Sequence, residues 1–115
     1  MLEEYMVNRK PTKEEEKLIE HLISLSLRKF SSGWKEKIFV RSMDDGGMGS
    51  LIISLDESST ESRLFGEQIS EYCFVDEDGV DVIASLNIDD TGDLYELDIW
   101  KTDFSPLIKL PWIST

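Results

Sequence analysis

One cysteine and one histidine are all the thiol and imidazole chemistry that these 115 residues contain. Cys73 has no partner for an internal disulfide, and a zinc site of the Cys and His type cannot be assembled. A hydrolytic triad would depend wholly on His21, which falls on the rim of an apolar helical stripe, an ordinary place for a boundary histidine. No apolar run approaches the roughly 20 residues of a membrane span. Met1 to Lys10 lack the apolar stretch of a secretory signal, so a cytoplasmic location is expected. Positive charge is scarce as well, with 12 basic against 24 acidic residues, a net charge of -12 and a pI near 4.4. That balance repels phosphate backbones and anionic headgroups, which argues against nucleic acid and membrane surfaces as ligands and in favour of a basic macromolecule. Of the seven glycines, Gly46, Gly47 and Gly49 form the densest group. They lack the Lys-Ser or Lys-Thr that completes a phosphate-binding loop, and they read as turn residues.

What is present suffices for one modest core: apolar residues are 40% of the chain, and its length fits one domain over residues 1–115. Thr12 with Glu15 makes a capping-box pattern, Glu14, Glu15 and Glu16 load the first turn, and Arg28 and Lys29 close the segment. A helix over 12–28 is expected, with Leu18, Ile19, Leu22, Ile23 and Leu25 as its buried stripe. From Ile38 onward the period changes from that of a helix to alternation. Strands are expected at Lys37 to Met43, Ser50 to Leu55, Gln68 to Val75, Val80 to Ile88 and Leu94 to Lys101. The turns between them are Asp44 to Gly47, a polar loop Asp56 to Ser62, Asp76 to Gly79 and Asp89 to Asp93. The fold class is α+β: an N-terminal helix packed on an antiparallel β-meander of about five strands. Val80, Val82, Ala84, Leu86 and Ile88 face the helix, while Asp81, Ser85 and Asn87 face water and Ile83 is the exception among them. The tail Phe104 to Ile113 carries Pro106 and Pro111 and is expected to pack irregularly across an edge or end of the sheet. Cys73, in an alternating stretch with no basic neighbour, reads as an inert packing thiol.

Charge is unevenly laid out. Residues 1–43 hold nine basic and seven acidic side chains, whereas residues 76–103 hold one basic and ten acidic. The acidic turns are expected to be hydrated, which disfavours a pair of carboxylates in general acid and base roles. Asp76, Asp78 and Gly79 resemble a fragment of a calcium loop without its spacing or its terminal Glu, so neither metal nor cofactor is expected. Trp34, Trp100 and Trp112 suit either a core or a protein contact equally well.

Three segments carry a resemblance: Pro11-Thr-Lys-Glu-Glu-Glu-Lys-Leu18, Asp45-Gly-Gly-Met-Gly-Ser-Leu51, and the stretch from Asp76-Glu-Asp-Gly79 through Val82-Ile-Ala-Ser-Leu86 to Gly92-Asp-Leu-Tyr-Glu-Leu-Asp-Ile-Trp-Lys-Thr-Asp-Phe-Ser-Pro-Leu107. Together they resemble a family of small acidic bacterial proteins of unassigned function. That family is similar in size, charge and α+β make-up to immunity proteins of interbacterial toxin systems, including contact-dependent growth inhibition. The resemblance implies a non-enzymatic toxin inhibitor and carries no functional residue over by position. Charge layout supplies the site instead. Asp76, Glu77, Asp78, Asp81, Asp89, Asp90, Asp93, Glu96 and Asp98 are expected to face a cognate toxin with a basic active-site cleft, most plausibly a nuclease, with Trp100 or Tyr95 as anchor. The alternative is a non-catalytic interaction domain or subunit for some other basic partner.

Overall fold

The computed structural model describes residues 7–55 and 62–113. Helix α1 spans Lys13–Leu25 and opens with the expected capping box, the Thr12 side chain accepting from the Glu15 N–H while the Glu15 carboxylate accepts from the Thr12 N–H. Bidentate bonds from Arg9 hold the same carboxylate at 2.8 and 3.0 Å. The helix stops three residues earlier than its sequence suggests. Ser26 turns its hydroxyl back onto the Ile23 carbonyl and leaves helical backbone angles, a local bond that competes with helix continuation. Leu25 is accordingly exposed and does not belong to the buried stripe, whose members are Leu18, Ile19 and Leu22.

A second departure follows. Lys37, expected to open the first strand, instead ends a one-turn helix α2, Trp34–Lys37. Trp34 packs against the core while Lys35 reaches back to Glu20 at 2.7 Å, so contacts to α1 override the local preference.

Five strands follow: β1 Phe39–Ser42, β2 Leu51–Ser54, β3 Phe65–Val75, β4 Asp81–Asp89 and β5 Leu94–Lys101. They form one sheet in the order β1-β2-β5-β4-β3 with every pairing antiparallel. β3, β4 and β5 make a meander through two tight turns, and the β1–β2 hairpin joins it at β5. β2 and β3 are therefore not neighbours, and β5 and β4 stand between them. The polar loop expected at Asp56 to Ser62 lies, apart from its last residue, outside the described residues. β3 begins three residues before the expected Gln68, because Leu64 to Glu67 lack alternation and sit exposed on an edge where pairing alone defines the strand.

Val82, Ala84 and Leu86 of β4 point inward as their alternation requires, and with Val40, Leu51, Ile53, Leu97 and Ile99 they form one core cluster with Leu18, Ile19 and Leu22 of α1, which lies nearest β3 and β4. At about 25 cal/mol per Å² of apolar area, each buried leucine of α1 contributes roughly 2 kcal/mol. Gly66, exposed on the edge strand, lets β3 approach the end of β4 closely, since a Cβ there would lie 2.2 Å from the Asp89 carbonyl oxygen. The tail beyond β5 has no regular structure. It is pinned instead, with the Leu107 N–H donating to Gly47 O at 3.0 Å and Ile113 buried.

Candidate functional site

The acidic residues fall into three places, because consecutive turns of a meander lie at opposite ends of the shared strand. Eight steps of about 3.3 Å along β4 put the turn at 76–80 roughly 26 Å from the turn at 90–93. The single acidic end suggested by the charge count is thus divided.

At the first end the carboxylates bind inward. Lys101 is the last residue of β5 on its core-facing side, and its ammonium is wholly buried. It donates to Asp76 at 2.8 Å, to Asp78 at 2.6 Å and to the Pro106 carbonyl at 3.2 Å. Asp76 also accepts backbone N–H groups of Glu77, Ile108 and Lys109. Burial pushes the Asp76 carboxyl up, but the Ile108 N–H, the Lys101 ammonium and the other two amides more than offset it and hold it at about 2. Lys101 shows the mirror effect, burial pushing its pKa down and the two aspartates raising it further. Glu77 is exposed and lies 3.9 Å from Lys109.

At the opposite end Asp89 is buried. Its Oδ1 accepts from the Thr91 N–H and hydroxyl and from the Asp93 N–H, and Arg63 donates to its Oδ2 at 2.9 Å. The Asp89 carboxyl is also held at about 2, burial being outweighed by Thr91, the Asp93 amide and Arg63. Arg63 continues to the carbonyls of Ile53 and Leu94, lies over the Tyr95 ring with its Cζ 4.7 Å from the centroid, and accepts the Tyr95 hydroxyl at its own carbonyl. One guanidinium thereby links β2, β4 and β5. Asp90 and Asp93 stand exposed outside it. The expectation of hydrated turn carboxylates holds for Glu77, Asp90 and Asp93 but not for Asp76 or Asp89, whose partners lie far away in sequence.

The third place is the sheet face turned away from α1. The described residues put no helix on it. Across it, Cys73 of β3, Ile83 of β4 and Trp100 of β5 stand in one row, and Glu71, Ser85 and Asp98 in the next. Gln68, Asn87 and Glu96 follow. Asp81 stands exposed on the same face at the start of β4. Cys73 is exposed here on the edge strand, so it is not the packing thiol its alternation suggested. Trp100 is 44% exposed and meets Phe104, 69% exposed, at a ring separation of 6.1 Å. Phe104 has φ of 63°, a left-handed conformation that disfavours a non-glycine residue by roughly 1 kcal/mol or more. An exposed aromatic held there gains little inside this protein that would offset the cost.

Of the ten sequence-chosen residues, then, Asp81, Glu96, Asp98 and Trp100 share the open face, whereas Asp76, Glu77 and Asp78 lie at one end and Asp89, Asp90 and Asp93 at the other. Tyr95 is taken up by Arg63. Glu71, Asn87 and Phe104 complete the face and were missed. Glu71 and Asn87 show only strand alternation in the sequence, and Phe104 lies in a segment without period. His21 sits on α1 with its ring 4.7 Å from that of Tyr72, edge to face, on the opposite side of the sheet. Among the described residues no group of three or more His, Cys, Asp or Glu side chains is placed to hold a metal, and no helix is long and apolar enough to cross a membrane.

The chain belongs to the domain of unknown function family DUF6984, which it matches over residues 8–111. No curated protein and no solved structure matches it.

Proposed function

We propose that this member of the DUF6984 family is an inhibitor of a bacterial toxin, in the manner of an immunity protein, and that it covers a basic active-site cleft, that of a nuclease, with the open face of its sheet. One observation carries the reading. On an otherwise acidic surface, Trp100 and Phe104 form an exposed aromatic pair, with Asp98 in the next row of β5, Asp81 and Glu71 on the same face, and no described element covering it. Desolvated aromatic anchors with a charged rim are the usual composition of a specific protein contact. The net charge of -12 adds long-range attraction to a positive cleft. The buried carboxylates at both ends serve the fold under this reading, and only the outward ones meet the partner.

The test is genetic first and kinetic second. The product of the adjacent gene, expressed alone, is expected to arrest growth, and co-expression of this protein should restore it through a one-to-one complex. Trp100→Ala should weaken that complex by roughly 2 kcal/mol or more, the range of an aromatic anchor. Neutralising Glu71 and Asp81 together should chiefly slow association and flatten its salt dependence. A neighbour that is harmless, or toxic but not rescued, would overturn the proposal.

A further inference from the structure

The two wholly or nearly buried aspartates have cations of their own, Lys101 for Asp76 and Arg63 for Asp89. Asp45, half-buried in the β1–β2 turn, has the N–H groups of Met48 and Ser50 instead. Glu96 and Asp98 have neither. They stand two residues apart on the open face of β5, both half-buried, and each accepts from the same Nδ2 of Asn87, at 3.4 and 2.9 Å. All twelve lysines and arginines of the chain are among the described residues, and none of them forms an ion pair with either carboxylate. Arg41 is in the same row, across Ile52, without closing the gap. Burial, followed by the Asp98 charge, pushes the Glu96 carboxyl above its ordinary range, and Asn87 and Arg63 offset this only in part.

A second, independent sign comes from Asn87 itself. Its side chain is 4% exposed, and among the described residues no donor reaches its Oδ1, which is shut off from water. An orphaned buried acceptor costs roughly 1 to 3 kcal/mol. The amide spends its donors on the two carboxylates, so its oxygen is left over; a donor that took over the carboxylates would free the amide to turn.

We propose that Asn87, Glu96 and Asp98 form a receptor for one arginine side chain of a partner protein, with Trp100 as its stacking wall. The proposal deepens the inhibitor reading and rests on it for the partner's identity. A guanidinium has five donors in a fixed plane, enough to serve both carboxylates and, once the amide has turned, the Asn87 oxygen. It is weakly hydrated and stacks on an indole face, and Trp100 is the next residue along the same side of β5. An ammonium offers three donors and a tighter hydration shell, which makes lysine the poorer occupant.

The test uses the full-length, isotope-labelled protein titrated at low salt with N-acetyl-arginine-methylamide, and in parallel with the lysine analogue, to about 20 mM, a range suited to millimolar dissociation constants. Saturable shifts are expected at the Asn87 side-chain amide and the Trp100 indole, with arginine binding tighter than lysine by roughly threefold or more. Glu96→Gln with Asp98→Asn should abolish them while leaving the protein folded, because the change removes a like-charge pair. The absence of saturation at these two groups, its survival in the double variant, or equal affinity for lysine would overturn the receptor. A cognate toxin bound equally well by wild type and the double variant would also overturn it while leaving the inhibitor reading intact. An arginine-selective site in a protein that rescues no toxin would sustain the receptor and remove the inhibitor.

Discussion

The Lys101 ammonium lies 2.8 Å from the Asp76 carboxylate, and neither side chain has any exposure to water. The pair joins the end of β5 to the turn before β4. Through the Ile108 and Lys109 amides it also fastens the tail to the body of the sheet.

Asp76→Ala is therefore expected to cost about 3 to 5 kcal/mol, the range for removing one partner of a buried ion pair. Three backbone N–H groups lose their acceptor at the same time, so replacing both Asp76 and Lys101 with apolar residues should not restore stability. Urea unfolding measures the loss. Hydrogen exchange at Ile108 and Lys109 should accelerate selectively even under conditions where the sheet stays closed.

The Asp76 and Asp89 carboxyls both sit at about 2, below the ordinary 3.8. A depressed folded-state pKa stabilises at pH values above the unfolded pKa, and that contribution disappears as pH falls toward the folded one. Stability is expected to drop between pH about 4 and about 2 as both carboxyls are forced to protonate. Glu96 has the opposite sign: its carboxyl is raised, so protonating it relieves strain as the pH comes down toward its ordinary 4.5. Denaturation midpoints measured across this range should therefore fall steeply only below pH about 4. Asp89→Asn should remove part of that acid limb.

Gly66→Ala places a methyl group against the Asp89 carbonyl, where the backbone of β4 cannot yield without disturbing the Arg63 and Asp89 contacts. A loss of about 1 to 3 kcal/mol is expected, typical of forced overpacking. Thermal unfolding checks the magnitude. Gly79→Ala serves as the contrast, with no crowding but a positive φ of 81°.

His21→Ala is expected to leave partner binding unchanged, losing only the edge-to-face contact with Tyr72, worth about 1 kcal/mol of stability. Cys73→Ala alters the open face itself, in one row with Ile83 and Trp100, and is expected to leave the fold intact. A well-folded His21→Ala variant that failed to protect against the toxin would point to chemistry on the helix side of the sheet.

Local signals were readable where neighbours in sequence are neighbours in space. The Thr12 and Glu15 capping box and the inward alternation from Val82 to Leu86 depend on spacings of three and two residues, and both appear as the sequence implies; beyond Leu86 the alternation ends, and Asn87, expected to face water, is buried instead. Asp76, Asp89, Arg63 and Lys101 were opaque for the converse reason. Asp76 meets Lys101 across 25 residues, and Arg63 meets Asp89 across 26. A carboxylate in a turn looks the same in sequence whether water or a buried cation answers it. The open face was half legible: Glu96, Asp98 and Trp100 alternate along β5, but their junction with Asn87 depends on a register set by the intervening turn.

The order β1-β2-β5-β4-β3 places the last strand of the described sheet in its centre, paired with β2 on one side and β4 on the other. Until residues 94–101 arrive, the first hairpin and the third and fourth strands have no strand in common, and Leu97 and Ile99 are missing from the core they should share. The partly made chain can collapse but cannot settle. Folding is thereby deferred to a late, long-range closure in which one strand zips two halves together, and such non-local pairing places the rate nearer milliseconds to seconds than microseconds. A chain cut before Leu94 would yield no smaller version of this fold, only two unmatched sheet edges awaiting their middle.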